Sequence, residues 1–432
     1  MRILDANVLG AIRQFSSVDS GRSQREVDLY DLEVVTPMFG GGVEKAEIDK
    51  TKLVRETEIR GALRFWWRAT KGAEFEDYKR LFEEESRLWG TTDNPSGVNV
   101  SVGFVNQKIN IVKCSDVQDG ALGYVFFPFA ENRRQNQPER SAVKKFSFRL
   151  ALEYRSESDK IQFETALRAW ANFGGIGART RRGCGALFCR NLAFENIDDL
   201  NHWLRELNLA NKRGVQEWSI IDSVLLGKEC AEKDPEKSRL SAWKQIINLY
   251  RNFRQTPGYL ARNRKANGDP GRSNWIEPDV LRRITKKYPQ IHDPYAREPQ
   301  NREEAFPRIE FGAPIIFHFK DKGSEPADQT VKPIYEQNSQ ERMASPVLLR
   351  PIVFKDDTVR PCAVFFRTPL PAEVAVNDKG HYKVATKFAY SSGDPNSRLK
   401  KYLERSGGSA LEAFKLYLKD NGFKQIYGGS DR

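Results

Sequence analysis

Twelve residues concentrate the chain's capacity to bind an anion. Gly174-Gly175-Ile176-Gly177-Ala178-Arg179-Thr180-Arg181-Arg182-Gly183-Cys184-Gly185 holds five glycines and three arginines. Glycine leaves backbone N–H groups open and lets another chain approach closely. Arg179, Arg181 and Arg182 can each offer a phosphate a bidentate fork of donors. A nucleotide is nonetheless disfavoured. The loop lacks the Gly-Lys-Ser/Thr ending of a P-loop and leads into an apolar run read as a strand, where nucleotide loops open a helix. No ATP, NAD or other cofactor is expected. A nucleic-acid backbone fits better, held with little base preference and strong salt dependence. Gly175, Gly177, Arg179, Thr180, Arg181 and Arg182 are the contacts expected here. The alternative is a tight helix-to-strand turn whose arginines face solvent or a protein neighbour.

A second basic cluster lies upstream, in Glu58-Ile59-Arg60-Gly61-Ala62-Leu63-Arg64-Phe65-Trp66-Trp67-Arg68. At about 100° per residue, Ile59, Leu63, Trp66 and Trp67 share one helical face. Arg60, Arg64 and Arg68 recur every fourth residue on an adjacent stripe. They either solvate the helix, pair with acids elsewhere, or form a basic edge. No acid stands between them at matching spacing, which favours the edge. Arg272 and Trp275 are lesser additions, through phosphate pairing and base stacking.

Catalytic chemistry is poorly provided for. A metal-independent ribonuclease needs a base such as histidine near the phosphate. His202, His292, His318 and His381 all fall outside both clusters. Acids show no paired-carboxylate pattern beside the loop. The five cysteines contain no C-x-x-C pair, and their odd number argues against a disulfide framework. Cys184 reads as packing, and no metal site is expected. Lysines and arginines outnumber acids 70 to 58, a formal charge of +12 that favours an anionic partner. No apolar run approaches the roughly 20 residues that span a bilayer. The early Asp5 and Asn7 break any signal-peptide pattern, so a cytoplasmic location is expected.

The elements that must position these clusters can be placed from periodicity. At 432 residues the chain is long enough for two domains. Residues 1–27 read as an N-terminal extension. Leu29–Val35 is a strand running into the turn Thr36-Pro37-Met38-Phe39-Gly40-Gly41-Gly42. The arginine helix follows, then a helix over Phe75–Trp89 and strands at Val98–Phe104, Gly123–Phe129 and Phe146–Tyr154. Glu131–Lys145 reads as a mobile loop. A helix capped by Ser156 or Ser158 ends at Gly174, expected as a left-handed cap. Gly185–Leu192 is the closing strand. This order is βαββαβ, the ferredoxin-like or RRM-like plan of an α+β protein. Helix is expected again at Asn196–Ala210 and Leu240–Phe253. Strands are expected at Trp218–Leu226, Gly312–Phe319, Pro346–Phe354 and Arg360–Arg367. A basic, loop-rich insertion covers about 251–308, and a helical tail about 394–426 with a frayed end from Gly428. The domains are read as 28–210 and 211–432.

In that order and spacing, the 36–42 turn, the 58–68 helix and the 174–185 loop resemble the RAMP proteins of CRISPR systems. Within them the chain is most similar to the first subunit of the type III-B (Cmr) effector. Gly271-Arg272-Ser273-Asn274-Trp275-Ile276-Glu277-Pro278-Asp279 and Met343-Ala344-Ser345-Pro346-Val347-Leu348-Leu349-Arg350-Pro351 resemble that subunit's second half. The resemblance implies two ferredoxin-like domains, the second elaborated with extra helices and long loops. It implies a non-catalytic, RNA-binding subunit of an antiviral RNA-guided complex, beside other RAMP subunits at the 3′ end of the guide RNA. Guide RNA, target RNA or both are the implied ligands. A guide-processing endoribonuclease and a purely architectural cap are the alternatives.

Overall fold

The protein was analysed as a computed structural model. It describes residues 26–428 except 41–47, 50–51, 105–108, 134–135, 208, 210–216, 256–272, 274, 289–304, 320–322, 337 and 385–398.

The first half follows from alternation and caps. Strand β1 (Glu26–Val34) buries Tyr30, Leu32 and Val34 at period two and turns Val27, Leu29 and Asp31 outward. After the short β2 (Met38–Phe39), helix α1 (Glu56–Ala69) buries Ile59, Leu63, Trp66 and Trp67 as its spacing predicts. Glu56 and Glu58 in its first turn and Arg68 in its last complement the helix dipole. Helix α2 (Tyr78–Trp89) starts at Asp77, whose carboxylate accepts the Arg80 N–H at 2.9 Å. Strands β3 (Val98–Phe104), β4 (Ile111–Lys113), β5 (Ser141–Val143) and β6 (Phe146–Tyr154) follow. Helix α3 (Glu157–Phe173) is capped by Ser156, and β7 (Leu187–Phe188) closes this half.

The rest comprises α4 (Ile197–Glu206), β8 (Ile220–Leu226), α5 (Pro235–Gln255) and α6 (Glu277–Thr285). Then come β9 (Ile315–Phe317), β10 (Gln329–Tyr335), β11 (Asn338–Ser339), β12 (Val347–Val353) and β13 (Val359–Arg367). Last are β14 (Glu373–Val376), β15 (Lys379–Lys383), α7 (Lys400–Arg405), α8 (Ala410–Asp420) and β16 (Lys424–Tyr427).

Two compact units result: residues 1–247, 348–368 and 424–432, and residues 248–347 and 369–423. The first contains two four-stranded antiparallel sheets, ordered β3-β6-β1-β7 and β12-β13-β8-β16. β1 pairs with β6 along its whole length, Glu26 opposite Tyr154 through Val34 opposite Phe146. In each sheet the strand order is second-third-first-fourth in chain sequence. Helices α1 and α3 fall in the two crossovers of the first sheet. One apolar core joins Leu32, Trp66 and Phe173 to Ile221, Val364 and Phe366, so the two sheets are buried together. A small sheet, β2-β5-β4, completes this unit. The second unit is built on β11-β10-β14-β15, with β9 also on β10, over a core that includes Val280, Phe306, Phe317, Val331 and Val374.

Several expectations are corrected. Residues 123–129 are short helical turns (Gly123–Phe126, then Phe127–Phe129), not a strand. The 131–145 segment contributes β5, so it is not all loop. Gly174 is extended (φ −88°, ψ −165°), not a left-handed cap. A Cβ there would lie 2.4 Å from the Trp170 ring and 2.8 Å from Trp66 Nε1, so close packing excludes a side chain. The closing strand shrinks to two residues because the glycine loop's own bonds occupy its start and a turn closed on the Cys189 carbonyl ends it. The C-terminal tail ends in β16, which pairs with β8 as a sheet edge. The N-terminal extension to residue 25 and most of the 251–308 insertion lie outside the described residues, although α6 falls within the latter.

Candidate nucleic-acid interface

The glycine loop is tied down by every other motif that sequence reading singled out in this unit. Thr36 Oγ1 donates to the Gly183 carbonyl at 2.6 Å and accepts the Ala186 N–H at 2.8 Å. The Gly185 N–H reaches Pro37 O at 3.0 Å and the Ala178 N–H reaches Phe39 O at 2.7 Å. From α1, the Glu58 carboxylate accepts the Gly177 N–H at 2.6 Å. Trp243 Nε1 donates to Arg182 O at 2.8 Å. Arg350, fully buried on β12, donates to the carbonyls of Gly174 and Leu187, one at each root of the loop, and to Pro351 O at 2.8 Å. Burial pushes its pKa down to about 9, and three carbonyls stand in for the carboxylate it lacks.

This network corrects the first reading of the glycines. The Gly177 N–H is spent on Glu58 and is not offered to a ligand. Gly175 bridges to Ala186 across the loop's base. At Gly177 (φ +78°) a Cβ would meet Phe39 O at 2.4 Å, and at Gly185 (φ +60°) it would meet Ile176 O at 2.0 Å. The glycines let the protein's own backbones approach one another.

The arginines differ sharply in setting. Arg179 adopts a left-handed conformation, φ +59° and ψ +31°, that most side chains avoid. Thr180 opens the short 3₁₀ turn Thr180–Arg182 and is half-buried. The Arg181 guanidinium lies against two rings that meet edge-to-face, 4.7 Å from Phe65 and 4.4 Å from Phe366. Burial and the neighbouring Arg182 lower its pKa to about 10, so it stays charged at neutral pH. Arg182 is only 8% exposed and donates to Arg181 O at 3.1 Å, which corrects its expected place on the surface.

The α1 stripe is also corrected. Arg64 and Arg68 both grip Glu85 of α2, Arg64 Nε at 2.8 Å and Arg68 Nε at 2.8 Å. Glu85 is fully buried, whereas the two arginines remain 40% and 33% exposed. Arg60 donates to the Trp89 carbonyl, and burial followed by Arg64 lowers its pKa. The stripe therefore faces α2, while Glu58 and Phe65, on a different side of α1, meet the loop. The two clusters do not merge into one uninterrupted basic surface.

In the second unit, Trp275 is 1% exposed, with Phe253 5.5 Å and Arg308 5.6 Å from its ring, so it has no face to offer a base. Arg272 lies outside the described residues. His202 pairs with Glu206 on α4, and His318 and His381 pair with Asp328 and Glu373 in the second unit. No cluster of metal-binding side chains occurs among the described residues, and none of their helices is long and apolar enough to cross a membrane. The described cysteines are unpaired, and burial pushes the Cys184 thiol up to about 12, consistent with packing.

The sequence assigned no role at the loop to Glu58, Trp243 or Arg350, and none to Glu85 beside the arginine stripe. A signal existed for Arg350: it is the lone charge in the apolar strand Val347–Val353. None distinguishes Glu85 from Glu83 and Glu84.

The chain has counterparts among known proteins. Residues 31–188, β1 through β7, match the RAMP superfamily and form a RAMP domain. The chain is 28% identical over 187 residues to CRISPR system Cmr subunit Cmr1-2 of Pyrococcus furiosus, covering 37% of this chain and 92% of that one. It is 30% identical over 152 residues to Cmr1-1 of the same organism, covering 34% of this chain and 44% of that one. The crystal structure of apo Cmr1 from P. furiosus shares the fold at 15% identity, with a TM-score of 0.51 over 93% of this chain and 99% of the other. Residues 31–188 thus carry the RAMP match, and the chain is similar to Cmr subunits.

Proposed function

We propose that the protein is an RNA-binding, non-catalytic subunit of a type III-B CRISPR RNA-guided interference complex. It sits beside other Cmr subunits at the 3′ end of the guide RNA and contacts guide RNA, target RNA or both. The observation that carries this reading is the match of residues 31–188 to the RAMP superfamily, over a segment that ends in the glycine loop and its arginines. The relatives named as Cmr subunits support the complex. The two four-stranded sheets support a pair of ferredoxin-like domains, since both follow the order that βαββαβ chains adopt. The net charge of +12 suits a polyanion. No described histidine belongs to the loop or to α1, which favours binding over cleavage.

The test is filter binding of single-stranded RNA across a salt series, comparing the native protein with the triple variant Arg179→Ala, Arg181→Ala, Arg182→Ala. Each lost phosphate contact should lower the slope of log K against log salt by about 0.7. A fall of about one to two in slope and a loss of at least roughly tenfold in affinity are expected. Unchanged affinity and slope would remove the loop from the interface. Protein crosslinks without RNA crosslinks in the assembled complex would favour an architectural cap.

A further inference from the structure

We propose that Phe127 is a stacking platform for an unpaired nucleobase, carried on the framework that holds the glycine loop. This rests on the RNA-binding reading and adds to it a base contact outside the loop.

Phe127 is 76% exposed, more than any other large apolar side chain that reaches solvent among the described residues. A phenyl ring left in water forgoes the gain of burying it. The chain nonetheless holds this one in a fixed place. Its N–H bonds to the Gly123 carbonyl, and the Ala130 N–H bonds to Phe126 O at 3.2 Å. Pro128, the second residue of the Phe127–Phe129 turn, locks its own φ. Phe126 and Phe129, on either side, are buried. Phe129 stacks on Phe39 at 4.1 Å, and Phe126 lies 5.2 Å from the same ring. Two rings turned inward thus keep the third outside.

The same supports hold the loop. Phe39 accepts the Ala178 N–H through its carbonyl, and Trp243, which donates to Arg182 O, meets the Phe126 ring edge-on at 5.7 Å. All of these residues belong to the first unit. Positive charge lies against the turn as well. The Arg140 N–H bonds to Phe129 O at 2.8 Å, and its guanidinium sits 5.7 Å from the Phe129 ring centre. Its Nε is buried without a hydrogen-bond partner, and no carboxylate pairs with it among the described residues. An exposed ring on a rigid turn, with an unneutralised guanidinium next to it, is the pairing by which single-stranded nucleic acid is held: the ring takes the π face of a base and the cation favours the backbone. A protein hot spot instead sits inside a packed apolar patch ringed by further contacts. This turn offers only Phe127 and Pro128, since Phe126 and Phe129 face inward.

The experiment compares native protein, Phe127→Ala and Phe127→Trp on single-stranded RNA across a salt series, and on an abasic strand of the same length that keeps every phosphate. The side chain is exposed, so both variants should melt like the native protein. Phe127→Ala should weaken binding to the base-bearing strand by about fivefold or more, the lower end for one stacked base. Its salt slope should not change, because no phosphate contact is lost. Phe127→Trp should keep the native affinity and show a fluorescence quenching by the base-bearing strand that the native protein lacks. On the abasic strand the native protein and Phe127→Ala should bind alike. Native-like binding of both strands by Phe127→Ala overturns the platform, and so does an equal loss on both strands. In either case the RNA-binding reading stands if the triple alanine variant loses affinity. RNA binding that survives Phe127→Ala while assembly with other Cmr subunits fails would assign the ring to a protein partner and overturn the proposal. A native protein with no salt-dependent RNA binding overturns both readings.

Discussion

At the residue scale, the glycine loop places a left-handed backbone at a residue that is not glycine. Arg179 holds a left-handed backbone although glycines stand two residues before it and four after it, so the loop has not simply placed glycine wherever φ is positive. Such a conformation costs about 1 kcal/mol in a residue with a side chain. Arg179→Gly is therefore expected to raise thermal stability by roughly 0.5–1 kcal/mol and to lower RNA affinity severalfold. Paired melting and binding measurements check both signs. A loss of stability would mean that the Arg179 side chain contributes more through its own contacts than its backbone costs.

At the scale of elements, ion pairs decide how much charge α1 presents. Glu85 is buried between Arg64 and Arg68 and cancels part of their field. Glu85→Gln keeps the shape and removes the charge. Because the arginines are a third or more exposed and can be rehydrated, the stability cost should be modest, about 1–2 kcal/mol. RNA affinity should rise, with a steeper salt dependence. Opposite signs in the two measurements distinguish this from simple damage to the fold.

A second element-scale feature lies in the other unit. Glu310 accepts Ser409 Oγ–H at 2.9 Å and the Leu411 N–H at 2.9 Å, at the start of α8. Burial lifts its pKa to about 7 from an ordinary value of 4.5, against hydrogen bonds that pull it down. The folded state thus keeps the proton to higher pH than the unfolded chain. The stabilisation is full below about pH 4.5 and is lost as pH rises to about 7, amounting to some 3 kcal/mol at about 1.4 kcal/mol per pH unit. Melting temperature should fall across that window in the native protein, and Glu310→Gln should flatten the fall.

At the scale of the whole molecule, the division at residue 210 suggested by the order of elements cuts through a core. Trp66 lies 5.7 Å from Phe366 and Phe65 lies 5.5 Å from it, and Arg350 on β12 holds both roots of the loop. A fragment ending at residue 210 would leave Leu32, Leu63, Trp66 and Phe173 without the β8 and β13 side chains that cover them. It is expected to aggregate or to melt without cooperativity, whereas the full chain should bury this core in one transition. Scanning calorimetry and light scattering check this. The charge of +12 belongs to the same scale, since it favours the approach of any polyanion to the chain.

How much of this was legible in the chain depends on the range of the physics involved. Strands β3 and β6 match their expected spans residue for residue, and α1 and α3 nearly so, because side-chain alternation and helical spacing are local and the caps at Asp77 and Ser156 act within a turn. The 123–129 segment was misread because a short apolar run lacks a period to tell helix from strand. Strands β10, β14 and β15 carried no clear pattern either. The loop's glycines and arginines were legible as types, but not in their purpose. Gly177 serves Phe39, across 138 positions of chain, and Glu85 closes on Arg64 and Arg68 from a separate helix. Trp275 read as an aromatic available to a base and proved to be core. Local periodicity thus determined the elements, and residue chemistry the basic character of the loop. Which arginine is neutralised and which is buried was decided only by tertiary packing, because burial and partner distance are properties of residues far apart in the chain.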